Sequence, residues 1–441
     1  MKRFLFAACL LMPITALAST PTPTQILARA KAASGGSAWN HIRTLREEGS
    51  IQTSGLSGHF TSISDLANGR SVSRFSLGPL KGAQGFDGKR GWSKAPGGEV
   101  SPMDSPRTKK LAATSAYQTA MAWWFPKRWP GKIKLVGSRT SGHDRYWVLR
   151  ILPRGGMPFD MWINAKTHLI ARTVMALGVG AMKQTTYLSD YHTVDGVKTA
   201  FHERISNGQA QYDTVMQVKK VGVNVPVSAA EFAMPGQQLH DFSFVGSGSK
   251  VTIPFELINN HIYVQVAVDG HPLHFIFDSG GANILSPAAA HGAGVKSKGA
   301  LQGGGVGKKS VNIGFGKVKK LTLGGKVVLD NQIFGVLAMP GFSDVEGVPF
   351  NGLVGYEVLK RFVVQINYAA RTLTFMLPKA FNPANAGTPI PFTYLGRTPG
   401  VKGSIDGMSG EFQIDTGNRA ALSMWAPFVK KHHMDSRYKT T

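Results

Sequence analysis

Phe275-Ile276-Phe277-Asp278-Ser279-Gly280-Gly281 runs from apolar residues into a carboxylate, a hydroxyl and two glycines, and its pattern occurs twice. A shift of 137 positions lays Phe412-Gln413-Ile414-Asp415-Thr416-Gly417-Asn418 over it. The match continues without a gap. Ile253-Pro254-Phe255 falls on Ile390-Pro391-Phe392, Asp269-Gly270 on Asp406-Gly407, and Leu285-Ser286 on Leu422-Ser423. Across 253–286 there are 11 identities in 34 positions, including both aspartates and the glycine after each hydroxyl residue. One carboxylate per copy implies two half-sites brought face to face.

Two such loops meeting at an axis place two carboxylates within hydrogen-bond distance, where like charges cannot both ionise. One proton is then shared. The ionised partner draws a proton from a bound water while the protonated one polarises a peptide carbonyl, which is general acid–base hydrolysis without a covalent intermediate. Ser279 and Thr416 are suited to bond across the loops, and Gly280 and Gly417 let backbone approach the carboxylates. Each triplet alone is also an ordinary strand-end turn. The aligned pair is what points to chemistry.

Working outward, Tyr263 to Gly270 alternates as a strand and turns into the apolar residues that deliver Asp278. Residues 301–325 hold Gly303, Gly304 and Gly305 among β-formers, a glycine-rich hairpin suited to a mobile flap that closes over substrate. Asn351 to Phe362 reads as a strand, Leu353-Val354-Gly355, entering a short helix, followed by the strands 363–368 and 371–376.

These residues resemble the retropepsin-like aspartic proteases of bacterial secreted type over 252–377. The resemblance rests on Asp278-Ser279-Gly280, on Leu353-Val354-Gly355 as the structural hydrophobic-glycine element, and on the helix start Tyr356, Leu359, Arg361, Phe362. It implies that Asp278 and Asp415 are the catalytic pair, that Ser279, Gly280, Thr416 and Gly417 support the active-site loops, and that the substrate is a peptide or protein. Two departures are expected to matter. Gly281 stands where alanine or serine commonly follows the triplet, which should loosen the loop. Only 26 residues follow Asp415, against about 98 that continue the first lobe after Asp278. The expectation is a fragment whose relatives complete the second lobe and carry a peptide-binding PDZ module, so that catalysis by this chain depends on how that lobe is completed.

From about 40 to 235 the texture is strand and turn, with Asp87-Gly88 and Asp195-Gly196 as turns, and with helices expected at 23–34 and 114–125. This predicts one bent antiparallel sheet with one or two helices against it. Gly85 to Trp92 and Ala230 to Pro235 resemble the outer-membrane lipoprotein-sorting (LolA-like) half-barrel, which implies a concave apolar face able to hold acyl chains. The expected fold class is mainly β, divided as 1–18 signal peptide, 19–240 LolA-like domain, 241–251 linker, 252–380 first protease-like lobe and 381–441 incomplete second lobe.

Met1-Lys2-Arg3, the apolar run Phe4 to Leu17 and the small-residue site Ala16-Leu17-Ala18 read as a secretory signal peptide cleaved after Ala18. Cys9, the one cysteine, leaves with it, which excludes disulfides and a cysteine nucleophile and suits a periplasmic or secreted protein. Later stretches are too short to span a membrane. The 50 Lys+Arg outweigh the 25 Asp+Glu, and removing Lys2 and Arg3 takes the net charge from +25 to +23. Such a surface attracts an anionic envelope component or lipid. No zinc spacing, helix-turn-helix or ribonucleoprotein pattern points to nucleic acid, and no ligand spacing points to a metal or cofactor. His271, His274, His432 and His433 read as ordinary surface histidines without carboxylate partners. The leading expectation is an exported aspartic endopeptidase. The alternative is a non-catalytic envelope protein that binds lipid or lipoprotein and keeps a protease-like scaffold.

Overall fold

The structure, a computed structural model, describes residues 20–176, 183–236, 239–304, 310–395 and 398–438. The expected signal peptide lies outside them, as does Gly305. Among the described residues no helix is long and apolar enough to cross a membrane.

Strands between residues 44 and 223 form a thirteen-stranded sheet whose neighbours pair antiparallel throughout. Six strands run outward from Thr44–Thr53 to Val100–Pro102, and seven return from Gly131–Ser141 to Thr214–Val223, which pairs with the first. The helix Pro106–Thr119 joins the two edges. It touches Arg70–Leu77 and Asp144–Pro153, which stand eight steps apart in the strand order. A flat sheet would separate those strands by about 38 Å at ~4.8 Å per step, whereas a helix is only about 10 Å across. The sheet therefore curls around the helix, the bent antiparallel form the strand texture predicts.

Helix boundaries differ in one case. Pro23–Ala33 forms as expected, with Thr22 and Gln25 making a capping box. The second helix runs Pro106–Thr119 rather than 114–125, because Ser105 caps it and Pro106 occupies its first turn. Trp123 and Trp124 follow the helix and pack against the cluster around Ile26, Leu27 and Leu149.

Beyond 240 a nine-stranded sheet and two three-stranded sheets take over. Its core gathers Ile253, Val264, Val266, Phe275, Phe277, Leu321, Phe334, Val354 and Phe375. The expected linker 241–251 is not a free tether. Phe242–Phe244 pairs with Val327–Val336, its two rings lie 4.9 and 5.3 Å from Phe362, and Asp241 accepts from the buried Arg361 guanidinium at 2.9 Å. The Phe-Ser-Phe alternation is the strand signal that the flanking glycines and serines obscure.

Candidate active site

The repeat read from sequence is a repeat in space. Glu256–Ile258, His261–Val268 and His271–Asp278 answer to Thr393–Leu395, Thr398–Ile405 and Met408–Gln413, each start displaced by 137 positions. The two-residue turns match as well: Asp269 and Gly270 have φ of 49° and 88°, Asp406 and Gly407 of 45° and 77°. Positive φ at both positions is the turn that suits the twist of a tight hairpin.

The strand His271–Asp278 runs parallel to Gly352–Gly355, with Asp278 opposite Gly355. The chain then turns back so that Ile284–Leu285 lies antiparallel on the other side of the same strand. Leu353-Val354-Gly355 thus backs the Asp278 loop from behind. A Cβ at Gly355 would stand 1.6 Å from the Asp278 carbonyl oxygen, so only glycine fits. Gly281 does not loosen the loop as expected. Its N–H donates to the Asp278 carbonyl and its own carbonyl accepts from Tyr356 N–H, both at 3.1 Å. A Cβ there would lie 2.4 Å from Asp278 Oδ2, so the glycine clears space for the carboxylate.

The two loops cross-bond. Ser279 N–H donates to Thr416 Oγ1 at 2.9 Å, and Thr416 N–H donates to Ser279 Oγ at 3.0 Å. Each hydroxyl then donates onward across the axis, Ser279 to the Ile414 carbonyl and Thr416 to the Phe277 carbonyl, both at 2.8 Å. Gly280 N–H holds Asp278 Oδ1 at 2.8 Å and Gly417 N–H holds Asp415 Oδ1 at 3.0 Å. A Cβ on Gly280 would lie 2.7 Å from the Asp415 carboxyl carbon, and one on Gly417 2.4 Å from that of Asp278. The two carboxyls therefore face each other over a pair of glycines.

Burial pushes the Asp278 carboxyl up to about 7, and its hydrogen bond and charge repulsion with Asp415 push the same way. The Gly280 and Gly281 N–H groups only partly offset this. Such an aspartic acid keeps its proton near neutrality beside a second carboxyl, as proton sharing between like groups requires.

Gly303 and Gly304 lie in Lys298–Gly304, which pairs with Ser310–Leu323 as a hairpin at the sheet edge. The base of that hairpin rests on the first sheet. Ala300 N–H donates to the Ser54 carbonyl at 2.8 Å, and Leu301, Phe315 and Ile333 pack on Ile51, Leu56, Phe60 and Val218. A second contact joins Tyr356 hydroxyl to the Glu99 carboxylate.

The second copy differs from the first in cover. Ile253 and Phe255 are 0% and 5% exposed, whereas their counterparts Ile390 and Phe392 are 71% and 53% exposed. Among the described residues its three short strands share a sheet only with each other, and the Asp415 loop is bonded to the first copy through Ser279 and Thr416.

Sequence reasoning missed a buried cluster beside the Asp415 loop. His261 Nδ1 lies 2.8 Å from Glu346 Oε2, and Tyr263 hydroxyl donates to the same oxygen at 3.1 Å. His274, expected without a carboxylate, has Glu256 Oε1 3.5 Å from its Nε2. Neither pairing carries a local motif, since the partners come from distant segments. Among the described residues, no group of three or more His, Cys, Asp or Glu is placed to hold a metal ion. The basic excess is partly concentrated: Lys296, Lys298, Lys317, Lys319 and Lys320 border a cavity of about 870 Å³ beside Gly78-Pro79.

A family model described as aspartyl protease matches residues 264–358. That stretch is similar to the aspartyl proteases. The resemblance read from Asp278-Ser279-Gly280 and Leu353-Val354-Gly355 holds there, while Asp415 lies beyond the matched residues. Similar solved structures include a DUF1329 family protein from Desulfovibrio piger, 14% identical, covering 50% of this chain and 100% of that one with a TM-score of 0.36. A LolA superfamily protein from Nitrosomonas europaea is 13% identical, covering 48% and 98%, with a TM-score of 0.36. A retropepsin-like aspartic protease from Rickettsia conorii is 16% identical, covering 31% and 96%, with a TM-score of 0.23. No curated protein matches the chain.

Proposed function

We propose that this protein is an exported aspartic endopeptidase in which Asp278 and Asp415 hydrolyse peptide bonds through a shared water. The observation that carries the reading is the reciprocal bonding of Ser279 and Thr416, which sets the two carboxyls face to face. Asp278, protonated near neutrality, donates to the scissile carbonyl. Asp415 takes a proton from the water as it attacks. As the tetrahedral gem-diol collapses, one of its hydroxyls returns a proton to Asp278 while Asp415 passes the water's proton to the leaving nitrogen, which breaks the C–N bond and restores the pair.

Lys298–Gly304 stands at a sheet edge, where an extended peptide adds as a further strand, with Gly303 and Gly304 giving the flap its pliancy. The division into 19–240, 252–380 and 381–441 belongs to the same proposal. So does export by the signal peptide of residues 1–18. The lysine-bordered cavity is the place for an anionic envelope component. Sedimentation with anionic-lipid vesicles that is unaffected by Lys317→Glu with Lys319→Glu would remove that assignment.

The alternative reading, a lipid-holding envelope protein on an inactive scaffold, needs an open apolar face. Leu301, Phe315 and Ile333 pack on Ile51, Leu56, Phe60 and Val218 of the first sheet, which leaves less of its apolar surface open to a lipid. The test is incubation of the purified full chain with an unfolded polypeptide from acid to mildly alkaline pH, with mass spectrometry of the new termini. Internal cleavage at extended segments is expected. An intact polypeptide at every pH sinks the proposal.

A further inference from the structure

A buried histidine stands behind the Asp415 loop, and nothing in the dyad chemistry uses it. His261 is 4% exposed and Glu346 5%. Burying such a pair brings little net stability, because desolvation offsets the attraction between the groups. Its location is therefore the feature to explain.

His261 begins its strand directly after a two-residue turn in which Asn259 and Asn260 have φ of 50° and 66°. That turn reaches across to the second copy at two carbonyls. His261 Nε2 lies 2.9 Å from the Gly417 oxygen, and Asn260 Nδ2 donates to the Arg419 oxygen at 3.2 Å. A carbonyl only accepts, so Nε2 carries a proton and donates it. On the far side of the ring, Nδ1 meets Glu346 Oε2 at 2.8 Å, and the other carboxyl oxygen accepts from Asn259 Nδ2 at 3.2 Å. Phe342 lies nearly parallel to the imidazole at 6.2 Å. The ring is thus held at both nitrogens and on one face.

Gly417 is the residue through which this matters. Its N–H holds Asp415 Oδ1 at 3.0 Å, and its α-carbon packs so closely on Asp278 that no side chain fits. A displacement of Gly417 therefore moves one carboxylate directly and unseats the packing of the other.

We propose that the Asn259-Asn260 turn, His261 and Glu346 form a clamp that positions the Asp415 loop, with His261 as a positioning residue for hydrolysis. This deepens the aspartic-peptidase reading and rests on it for its effect on rate. His261 touches neither carboxylate. It acts through the Gly417 carbonyl alone.

The experiment uses the full chain and three proteins: parent, His261→Ala and His261→Gln. Glutamine places an amide N–H close to where Nε2 stands. Two quantities are read, hydrogen–deuterium exchange of the 415–419 amides and the kcat and KM for a cleaved peptide. For His261→Ala, faster exchange at 415–419 is expected with Thr372–Met376 still protected, together with a kcat lowered about 10- to 100-fold and KM unchanged. His261→Gln should recover most of both. Parent-like exchange and kcat in His261→Ala overturn the clamp. Should His261→Ala lose protection throughout, His261→Gln decides: parent-like exchange supports the clamp, and exchange as fast as in alanine overturns it. If the parent cleaves nothing, the exchange readings still judge the clamp, and what fails is the peptidase reading.

Discussion

Ser279 and Thr416, 137 positions apart, exchange backbone-to-hydroxyl hydrogen bonds at 2.9 and 3.0 Å. Each residue serves as donor and acceptor for the other, and each hydroxyl also satisfies a carbonyl on the opposite strand. Removing either hydroxyl leaves a half-buried N–H and a carbonyl unpaired, a loss of about 1–3 kcal/mol. Ser279→Ala and Thr416→Val should each lower kcat about 10- to 100-fold through displaced carboxylates. Because they break one network, the double variant should lose less than the sum of the two. Thermal unfolding and peptide hydrolysis on the four proteins of the cycle check both statements.

The pH dependence follows from Asp278. Its folded-state value, about 7, stands above the value of 3.8 for an unperturbed aspartate. Hydrolysis needs one proton on the pair, so kcat should fall as pH rises through about 7. Stability has the same sign. A raised value means the contribution is fully present below the unfolded value and lost as pH rises through the folded one. Asp278→Asn keeps a neutral group at every pH, so its melting temperature should gain on the parent's progressively from about 3.8 upward and level off above about 7. Melting curves of both proteins across the range decide this.

The contact between the first sheet and the hairpin makes a separate prediction. Leu56 is 2% exposed and its side chain meets Gly299, where a Cβ would lie 2.6 Å from Leu56 Cγ. Leu56→Ala should cost about 2–5 kcal/mol and release the hairpin base. Faster hydrogen exchange at Ala300, whose N–H donates to Ser54, is the expected signature. Unchanged exchange there would mean that the first sheet does not hold the hairpin.

What was legible in the sequence was local or repeated. Asp278 and Asp415 stand out because a 34-position match with 11 identities survives in the chain. Their cross-bonding through Ser279 and Thr416 followed from the residue types. The curled sheet follows from alternation and turn residues, whereas the helix start at Ser105-Pro106 is masked by the polar residues after it. The part played by Gly281 is not legible in the sequence, because it lies in the space left beside Asp278 Oδ2, which spacing does not encode. His261 and Glu346 were invisible for a related reason. They are 85 positions apart, and a lone histidine at a strand start carries no pattern. The docking of Leu301 and Phe315 on Leu56 was equally hidden, since apolar residues announce burial but not their partners.

The most direct measurement is peptide cleavage by the chain of residues 1–441 compared with its Asp278→Asn and Asp415→Asn variants. The folded state of each is confirmed by protected amides in Thr372–Met376. The account predicts cleavage by the parent and none above background by either variant, since each aspartate supplies a role the other cannot. Cleavage that persists in either folded variant would contradict it.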